Sequence, residues 1–183
     1  MNGRDELLAS LRRHQPADTL EKQHTDATIA LVAAGNGAFS RAHFAPGHVT
    51  ASAFIVDRAA GRLLLHHHRR LNRWLQMGGH VEEDESTLAA ALREGAEESG
   101  LRDLALIGDG IFDIDVHAIP AGKGEPDHHH FDVRYVFATN EPSSIARDAA
   151  ESNDLAWIAL GEAIVLMNEE ASSRAIRKLR SLL

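Results

Sequence analysis

The sequence of 183 residues contains no cysteine. Disulfide bonds, thiolate nucleophiles and cysteine-ligated metal centres are therefore excluded. Aromatic residues make up only 5% of the chain, which does not favour a base-stacking platform for RNA. No apolar run approaches the roughly 20 residues of a membrane span, and the first residues lack the apolar core of a signal peptide. We therefore expect a cytoplasmic protein with no membrane partner.

Positive charge is also scarce, since 19 Lys and Arg face 27 Asp and Glu for a formal net charge of -8. Such a chain repels nucleic-acid backbones and anionic bilayers, whose binding depends on basic residues that replace counterions. We expect no nucleic-acid partner. A phosphate-bearing small molecule would need local positive charge or bound cations. The length and the 44% hydrophobic content predict one globular domain with a substantial core.

The apolar pattern predicts helices first and a mixture of strands and helices afterwards. Residues 4–14 and about 17–34 have helical spacing, and we treat residues 1–45 as an N-terminal helical extension that packs on the core or forms part of a dimer contact. Residues 46–183 form the main domain. Its strands are predicted in VTASAFIVD, RLLLHHH, LNRWLQM, FDIDVHAIP, HHHFDVRYVFAT and DLAWIAL. Helices are predicted from Ser86 to Ser99 and over about 161–182, so the order of elements indicates an α/β sandwich.

Three glutamates crowd into about one turn of the central helix. Glu94, Glu97 and Glu98 lie at positions i, i+3 and i+4 and project from one face, where like charges repel. A divalent cation reverses the sign of that interaction. Mg²⁺ and Mn²⁺ prefer oxygen ligands and keep waters that substrate phosphate can replace. The alternative is a solvated acidic face with no bound ion.

The stretch GHVEEDESTLAAALREGAEESGL, residues 79–101, resembles the Nudix box. Eight of the nine specified positions match, and Gly95 stands where the family has an apolar residue. The resemblance covers roughly residues 48–160. It implies a Nudix-type α/β/α sandwich with a mixed sheet. It also implies a Nudix-type pyrophosphohydrolase acting on phosphorus-containing acid anhydrides.

The resemblance also implies roles for individual residues of the box. Metal-ligand positions are occupied by Glu94, Glu97 and Glu98, with the Gly79 carbonyl as a further ligand. Glu85 and Arg93 occupy positions that brace the loop against the helix. The implied catalytic set is Glu98, Glu97, Glu94, Arg93 and Glu85. Hydrolysis also requires a general base, and the candidates are Glu98, Glu82, Asp132 and Glu151. Met77 departs from the family, which commonly has proline there.

Histidines form a second notable group. The segments GHVTASAFIV, WLQMGGHVE, FDIDVHAIP and HHHFDVRYVF together resemble a bacterial, histidine-rich Nudix subgroup. Imidazole and carboxylate groups suit transition metals. A second metal or substrate site is therefore predicted from His80, His117, His128, His130 and Asp132. The alternative is a set of hydrogen-bonded polar residues lining a cleft.

Three arginines precede the box: Arg69, Arg70 and Arg73. They are candidates for contacts with substrate phosphate, and a solvated hairpin tip is the alternative.

We expect metal-dependent hydrolysis of a diphosphate bond in a nucleoside diphosphate linked to another moiety, or in a related small phosphorylated compound. Mg²⁺ is the expected cofactor and Mn²⁺ the alternative ion. One competing function is a non-catalytic Nudix-like ligand-binding module. Another is isopentenyl-diphosphate isomerase, which the absence of cysteine disfavours. The expected partner is a small-molecule diphosphate, and a homodimer is also considered.

Overall fold

The computed structural model describes residues 3–122 and 124–183. In this part of the chain, five α-helices and eight β-strands are present. The helices are α1 (Gly3–Arg13), α2 (Thr19–Ala34), α3 (Thr87–Ser99), α4 (Leu160–Met167) and α5 (Glu170–Leu182). The strands are β1 (Gly47–Asp57), β2 (Arg62–His68), β3 (Arg73–Leu75), β4 (Met77–His80), β5 (Ala105–Leu106), β6 (Asp113–Ile119), β7 (His128–Ala138) and β8 (Ser152–Ala159). None of the described helices is long and apolar enough to cross a membrane.

The sheet is built around β1, which is buried along its whole length. It runs parallel to β7 and antiparallel to β2 and β4, which occupy different parts of its other edge. Strands β3 and β8 continue the sheet beyond β2, while β5 and β6 pair with β7. The sheet is therefore mixed, as predicted.

Helices pack on both faces of this sheet. Side chains of a strand alternate between the two faces, so the central strand contributes to the core on each side. Ala51, Ala53 and Ile55 of β1 belong to one buried cluster, which also contains residues of α1, α2 and α3. Phe54 and Val56 belong to a second cluster with α4 and α5. The molecule is thus an α/β/α sandwich with one apolar core on each side of the sheet.

Helix α3 begins and ends close to its predicted limits. The side chain of Ser86 accepts a hydrogen bond from the Ala89 amide at 3.2 Å and caps the first turn. Gly100 ends the helix with a φ of 75°, a left-handed conformation that glycine adopts without strain. Gly95 faces β1, and a Cβ atom there would lie 3.0 Å from the Cβ of Ala53. The departure from the box pattern at this position therefore lets the helix approach the sheet closely.

Two details of the fold differ from the sequence prediction. The short strands β4 and β5 were not predicted, because two to four residues, two of them glycines in β4, carry no readable alternation. The single helix predicted over about 161–182 is two helices. The helix is interrupted at Asn168, which has a left-handed φ of 48° and ends α4.

The N-terminal helices are joined to the rest of the molecule by apolar and polar contacts. Leu7, Leu8 and Leu11 of α1 are buried in the core that also contains α3. From α2, Glu21 accepts a hydrogen bond from the Ile114 amide at 3.3 Å, and His24 accepts one from the Val116 amide at 3.1 Å. These contacts occupy amides of β6 that point away from β7. A division of the chain at residue 45 stays a prediction.

We expect Glu21→Gln to lower the free energy of unfolding by about 3 kcal/mol near neutral pH, because Glu21 is a buried charge with charged partners. Its carboxylate lies 2.7 Å from Lys178 Nζ and 2.8 Å from His14 Nε2. Burial alone would raise the pKa of Glu21, but hydrogen bonds from His14, Lys178 and the Ala17 amide outweigh it and lower the pKa to about 2.

The effect of Glu21 should therefore depend on pH. The ionised carboxylate stabilises the folded chain above the ordinary pKa of 4.5, and this contribution is lost as the pH falls towards about 2. Urea unfolding at neutral and acidic pH should show a difference between wild type and Glu21→Gln that shrinks in acid. Glu83→Gln, at an exposed position, is the control. Equal unfolding free energies at neutral pH would contradict the assignment.

Candidate active site

The glycine pair of β4 lies directly beside the carboxylates of α3. The amide of Gly78 donates a hydrogen bond of 2.9 Å to Oε2 of Glu98. A Cβ atom on Gly79 would overlap the carboxylate of Glu94. The absence of a side chain at Gly79 therefore leaves room for Glu94 beside the strand.

Glu98 is the most buried of the three predicted ligands, with 4% of its surface exposed. Burial raises the pKa of Glu98 to about 9; the hydrogen bond from Gly78 opposes this shift, whereas contacts with Glu151 and Glu94 add to it. Without a cation, this carboxyl group holds its proton at neutral pH. A bound cation would displace that proton, because a metal ligand must be deprotonated.

Glu94 and Glu97 share the same side of the helix but differ in exposure. The side chain of Glu94 is 16% exposed, and that of Glu97 is 61% exposed. Burial raises the pKa of Glu94, the neighbouring carboxylates of Glu97 and Glu151 raise it further, and Arg93 opposes the shift. Carboxylates from α3 and from the residue before β8 therefore crowd into one region.

Arg93 connects the loop before α3 to the helix. Its guanidinium makes a bidentate pair with Glu85, with Nε to Oε1 at 3.1 Å and Nη2 to Oε2 at 3.0 Å. It also donates to the His80 carbonyl at 3.1 Å and to Glu94 Oε1 at 2.8 Å. These bidentate and charge-assisted hydrogen bonds are stronger than an isolated surface ion pair, and they orient Glu94.

His66 and Ser152 also belong to this site, and they were not predicted as site residues. His66 Nδ1 lies 2.7 Å from the Ser152 hydroxyl and 3.8 Å from Oε1 of Glu98. Burial, followed by the charges of His68 and His67, lowers the pKa of His66 to about 4. The alternation of RLLLHHH places His66 and His68 on one face. The antiparallel pairing of β2 with β8, which brings Ser152 there, has no signal in the sequence.

The three arginines before the box do not converge on the carboxylates. Arg73 pairs with Glu169 at 2.5 Å, near the start of α5. Arg69 donates to the Ala149 carbonyl at 2.8 Å and is exposed, as is Arg70. The Arg69 amide donates to the Glu151 carbonyl at 2.8 Å, so the two residues are neighbours in space. A role of Arg69 in binding phosphate stays a prediction.

Four histidines form a separate group, which we call the histidine cluster: His48, His80, His128 and His130. Ring centroids of His48 lie 5.0 Å from those of His80 and His128 and 4.8 Å from that of His130. Burial and the neighbouring imidazoles lower the pKa of His80 to about 4 and that of His130 to about 2. The rings of His80 and His130 are therefore neutral at physiological pH.

The histidine cluster differs from the predicted second site in three members, because it lacks Asp132 and His117 and includes His48. Asp132 lies on the same face of β7 but binds Arg134 at 2.9 Å and Ser52 at 2.8 Å instead of joining the imidazoles. His48 takes part although it was not predicted. Its signal was available, because it alternates with Thr50 and Ser52 on one face of β1. The parallel pairing of β1 with β7, which sets His48 beside His130, could not be read from the sequence.

His117 lies at the edge of the histidine cluster. Its ring centroid is 5.6 Å from that of His130, and its Nδ1 donates to Asp115 at 3.0 Å. Asp115 in turn accepts a hydrogen bond from Arg134 at 2.9 Å. His117 therefore connects the histidine cluster to the buried ionic network around Arg134.

Comparison with protein families gives a match to the NUDIX domain over residues 46–179. The chain belongs to the Nudix family. This assignment confirms the predicted enzyme class, a Nudix-type pyrophosphohydrolase acting on phosphorus-containing acid anhydrides. Enzymes of this family generally use divalent metal ions. Comparison with curated proteins found no match.

Several solved structures resemble this Nudix chain. A NUDIX-family hydrolase from Clostridium perfringens is 27% identical, with a TM-score of 0.57 over 74% of this chain and 98% of that one. A MutT NUDIX hydrolase from Burkholderia pseudomallei is 26% identical, with a TM-score of 0.53 over 71% and 95%. The Ap4A hydrolase of C. elegans, in a binary complex, is 21% identical, with a TM-score of 0.57 over 73% and 95%. At that lower identity the similarity concerns the fold alone.

Proposed function

We propose that this Nudix enzyme hydrolyses a diphosphate bond in a nucleoside diphosphate linked to another moiety, or in a related small phosphorylated compound. The observation that carries the proposal is the convergence of Glu94 and Glu98 on the glycine pair of β4, with Glu151 facing them. Burial and mutual repulsion raise the pKa of both α3 carboxyl groups. A cation that binds them relieves this repulsion.

The donor set fits Mg²⁺ or Mn²⁺, because it consists of carboxylate oxygens beside a strand with no side chain at Gly79. Glu94, Glu97 and Glu98 would hold the ion, with the Gly79 carbonyl as a further ligand. When bound, such an ion neutralises diphosphate charge, orients the substrate and lowers the pKa of water. Arg93 keeps Glu94 and the loop in place, since it contacts Glu85, Glu94 and the His80 carbonyl.

Glu151 is the general base that the arrangement supports best. Its side chain shares a hydrogen bond with Glu98 and lies on an exposed turn before β8, so water can reach it. Asp132 is bound to Arg134 on the other face of the sheet. Glu82 lies in the exposed loop before α3. We therefore assign to the Glu151 carboxylate the acceptance of a proton from the attacking water.

The net charge of the chain also indicates which kind of partner it binds. The net charge of -8 favours a small phosphorylated substrate over a nucleic acid. A homodimer and a cytoplasmic location stay predictions from the sequence. Light scattering on the purified protein would test the homodimer.

A panel of diphosphate compounds would test the proposed function. It should contain a nucleoside triphosphate, a nucleotide sugar, ADP-ribose, a dinucleoside polyphosphate such as Ap4A, and isopentenyl diphosphate, each with Mg²⁺ or Mn²⁺. We expect cleavage of at least one compound at the diphosphate bond, and loss of cleavage after chelation. Glu94→Gln should abolish turnover, whereas Glu83→Gln at an exposed position of the loop should retain it.

The same panel separates the competing functions. Tight binding without cleavage of any compound would support a ligand-binding module. Conversion of isopentenyl diphosphate into its isomer would support an isomerase. Either result would contradict the proposed hydrolysis.

A further inference from the structure

We infer that His48, His128 and His130 form a binding site for a divalent transition-metal ion, distinct from the box carboxylates. One nitrogen of each imidazole can be chosen so that all three lie within 4.8 Å of one another. The three residues lie at the starts of the parallel strands β1 and β7, where His48 is the register partner of His130. The site is thus formed by the sheet itself.

This site lies on the face of the sheet opposite α3. Helix α3 packs on the face of β1 that carries Ala53 and Ile55. His48 alternates with Val49 and shares the other face with Ser52, which binds Asp132 across the sheet. The site is therefore separated by the sheet from Glu94, and an ion at one position would not share ligands with an ion at the other.

Hydrogen bonds orient two of the three rings for metal binding. Nδ1 of His128 is 2.8 Å from the Pro126 carbonyl, and Nδ1 of His48 is 3.3 Å from the His43 carbonyl. A carbonyl oxygen only accepts, so each Nδ1 carries the hydrogen and each Nε2 keeps its lone pair. Backbone carbonyls fix the tautomers of metal-binding histidines in the same way.

One of these lone pairs lacks a partner. His48 is 1% exposed, and its Nε2 is buried with no hydrogen-bond partner among the described residues. A buried polar atom without a partner costs about 1–3 kcal/mol. A metal ion coordinated by Nε2 would remove that cost. Imidazoles that stack without an ion would leave it in place.

The donor set selects the kind of metal. Three imidazole ligands suit Zn²⁺, Co²⁺, Ni²⁺ or Cu²⁺, whereas Mg²⁺ requires oxygen ligands. Ligands of Zn²⁺ lie about 2.0–2.1 Å from the ion, so the three rings would have to move inwards slightly. His80, whose ring centroid is 5.0 Å from that of His48, stands where a fourth ligand could come from. Otherwise water fills that position.

A direct binding measurement tests this inference. The protein should be purified without an affinity tag, stripped with a chelator, and titrated with Zn²⁺ by calorimetry in excess Mg²⁺, which occupies oxygen sites. We expect about one equivalent of tightly bound Zn²⁺. The variant His128→Ala/His130→Ala should bind at least about 100-fold more weakly.

His129→Ala is the matched control, because His129 lies between the two ligands on the same strand but is exposed and faces away. It should bind Zn²⁺ like the wild type. Equal affinity in the wild type and the double variant would overturn the inference.

X-ray absorption of the Zn²⁺-loaded wild type gives a test that needs no variant. Scattering from at least three imidazole ligands is expected, and a shell of oxygen ligands alone would also overturn the inference. Neither measurement depends on the diphosphate being the substrate, so the two proposals can fail separately.

Discussion

Replacement of Glu98 by glutamine is expected to lower the turnover of any active substrate by at least about 10³-fold. The variant removes a predicted metal ligand that is 4% exposed and accepts a hydrogen bond from the Gly78 amide. Glutamine has nearly the same shape, and its carbonyl oxygen can still accept that bond. The loss should therefore concern the cation and the reaction rather than the fold.

The stability of the Glu98→Gln variant without metal provides a second measurement. Burial raises the pKa of Glu98 to about 9 from an ordinary value of 4.5. Since the folded state prefers the protonated form, ionisation in the unfolded state costs the folded state stability at every pH above 4.5. A neutral glutamine removes this cost. We expect the metal-free variant to melt at the same temperature as the wild type or higher.

Two comparisons complete this experiment. Glu97→Gln should also lose turnover by orders of magnitude, although its side chain is 61% exposed. Glu83→Gln should behave as wild type. Turnover close to normal in both Glu97→Gln and Glu98→Gln, measured with saturating Mg²⁺, would contradict the assignment of the box carboxylates.

The largest effect on stability is expected from Arg134→Met. Arg134 is 2% exposed and donates to three aspartates: Asp132 at 2.9 Å, Asp113 at 3.2 Å and Asp115 at 2.9 Å. Methionine fills a similar volume but leaves buried carboxylates without this shared cation. Removal of one partner from a buried ion pair costs about 3–5 kcal/mol. We expect a loss at or above the upper end of this range, measured by urea unfolding.

A surface pair supplies the control for Arg134. Arg177 contacts Glu170 at 3.1 Å, and the two side chains are 54% and 72% exposed. Arg177→Met should cost at most about 1 kcal/mol, because exposed ion pairs contribute little. Similar losses for the two variants would show that the buried network does not depend on Arg134.

The sequence was most informative where one segment contains the whole signal. The signal of the box helix is local, and the helix predicted from Ser86 to Ser99 is observed from Thr87 to Ser99. The polar faces of β6 and β7 were also readable, because alternation survives in single strands. Alternation within one strand does not show which other strand lies beside it.

Strand neighbours decided the remaining features of the site. Asp132 alternates with His130, and the sequence therefore grouped it with the histidines, yet Arg134 two residues later binds it. His48 and Ser152 lie far along the chain from the residues they contact. Their roles follow from the pairing of β1 with β7 and of β2 with β8, which depends on long-range contacts.

The hydrogen bonds from β6 amides to Glu21 and His24 of α2 have a consequence for self-association. An edge strand with free amides is a template on which another chain can add a strand and begin to aggregate. Here side chains of a helix occupy two of those donors. The N-terminal segment thus protects the sheet from unwanted pairing, in addition to the apolar surface that it buries.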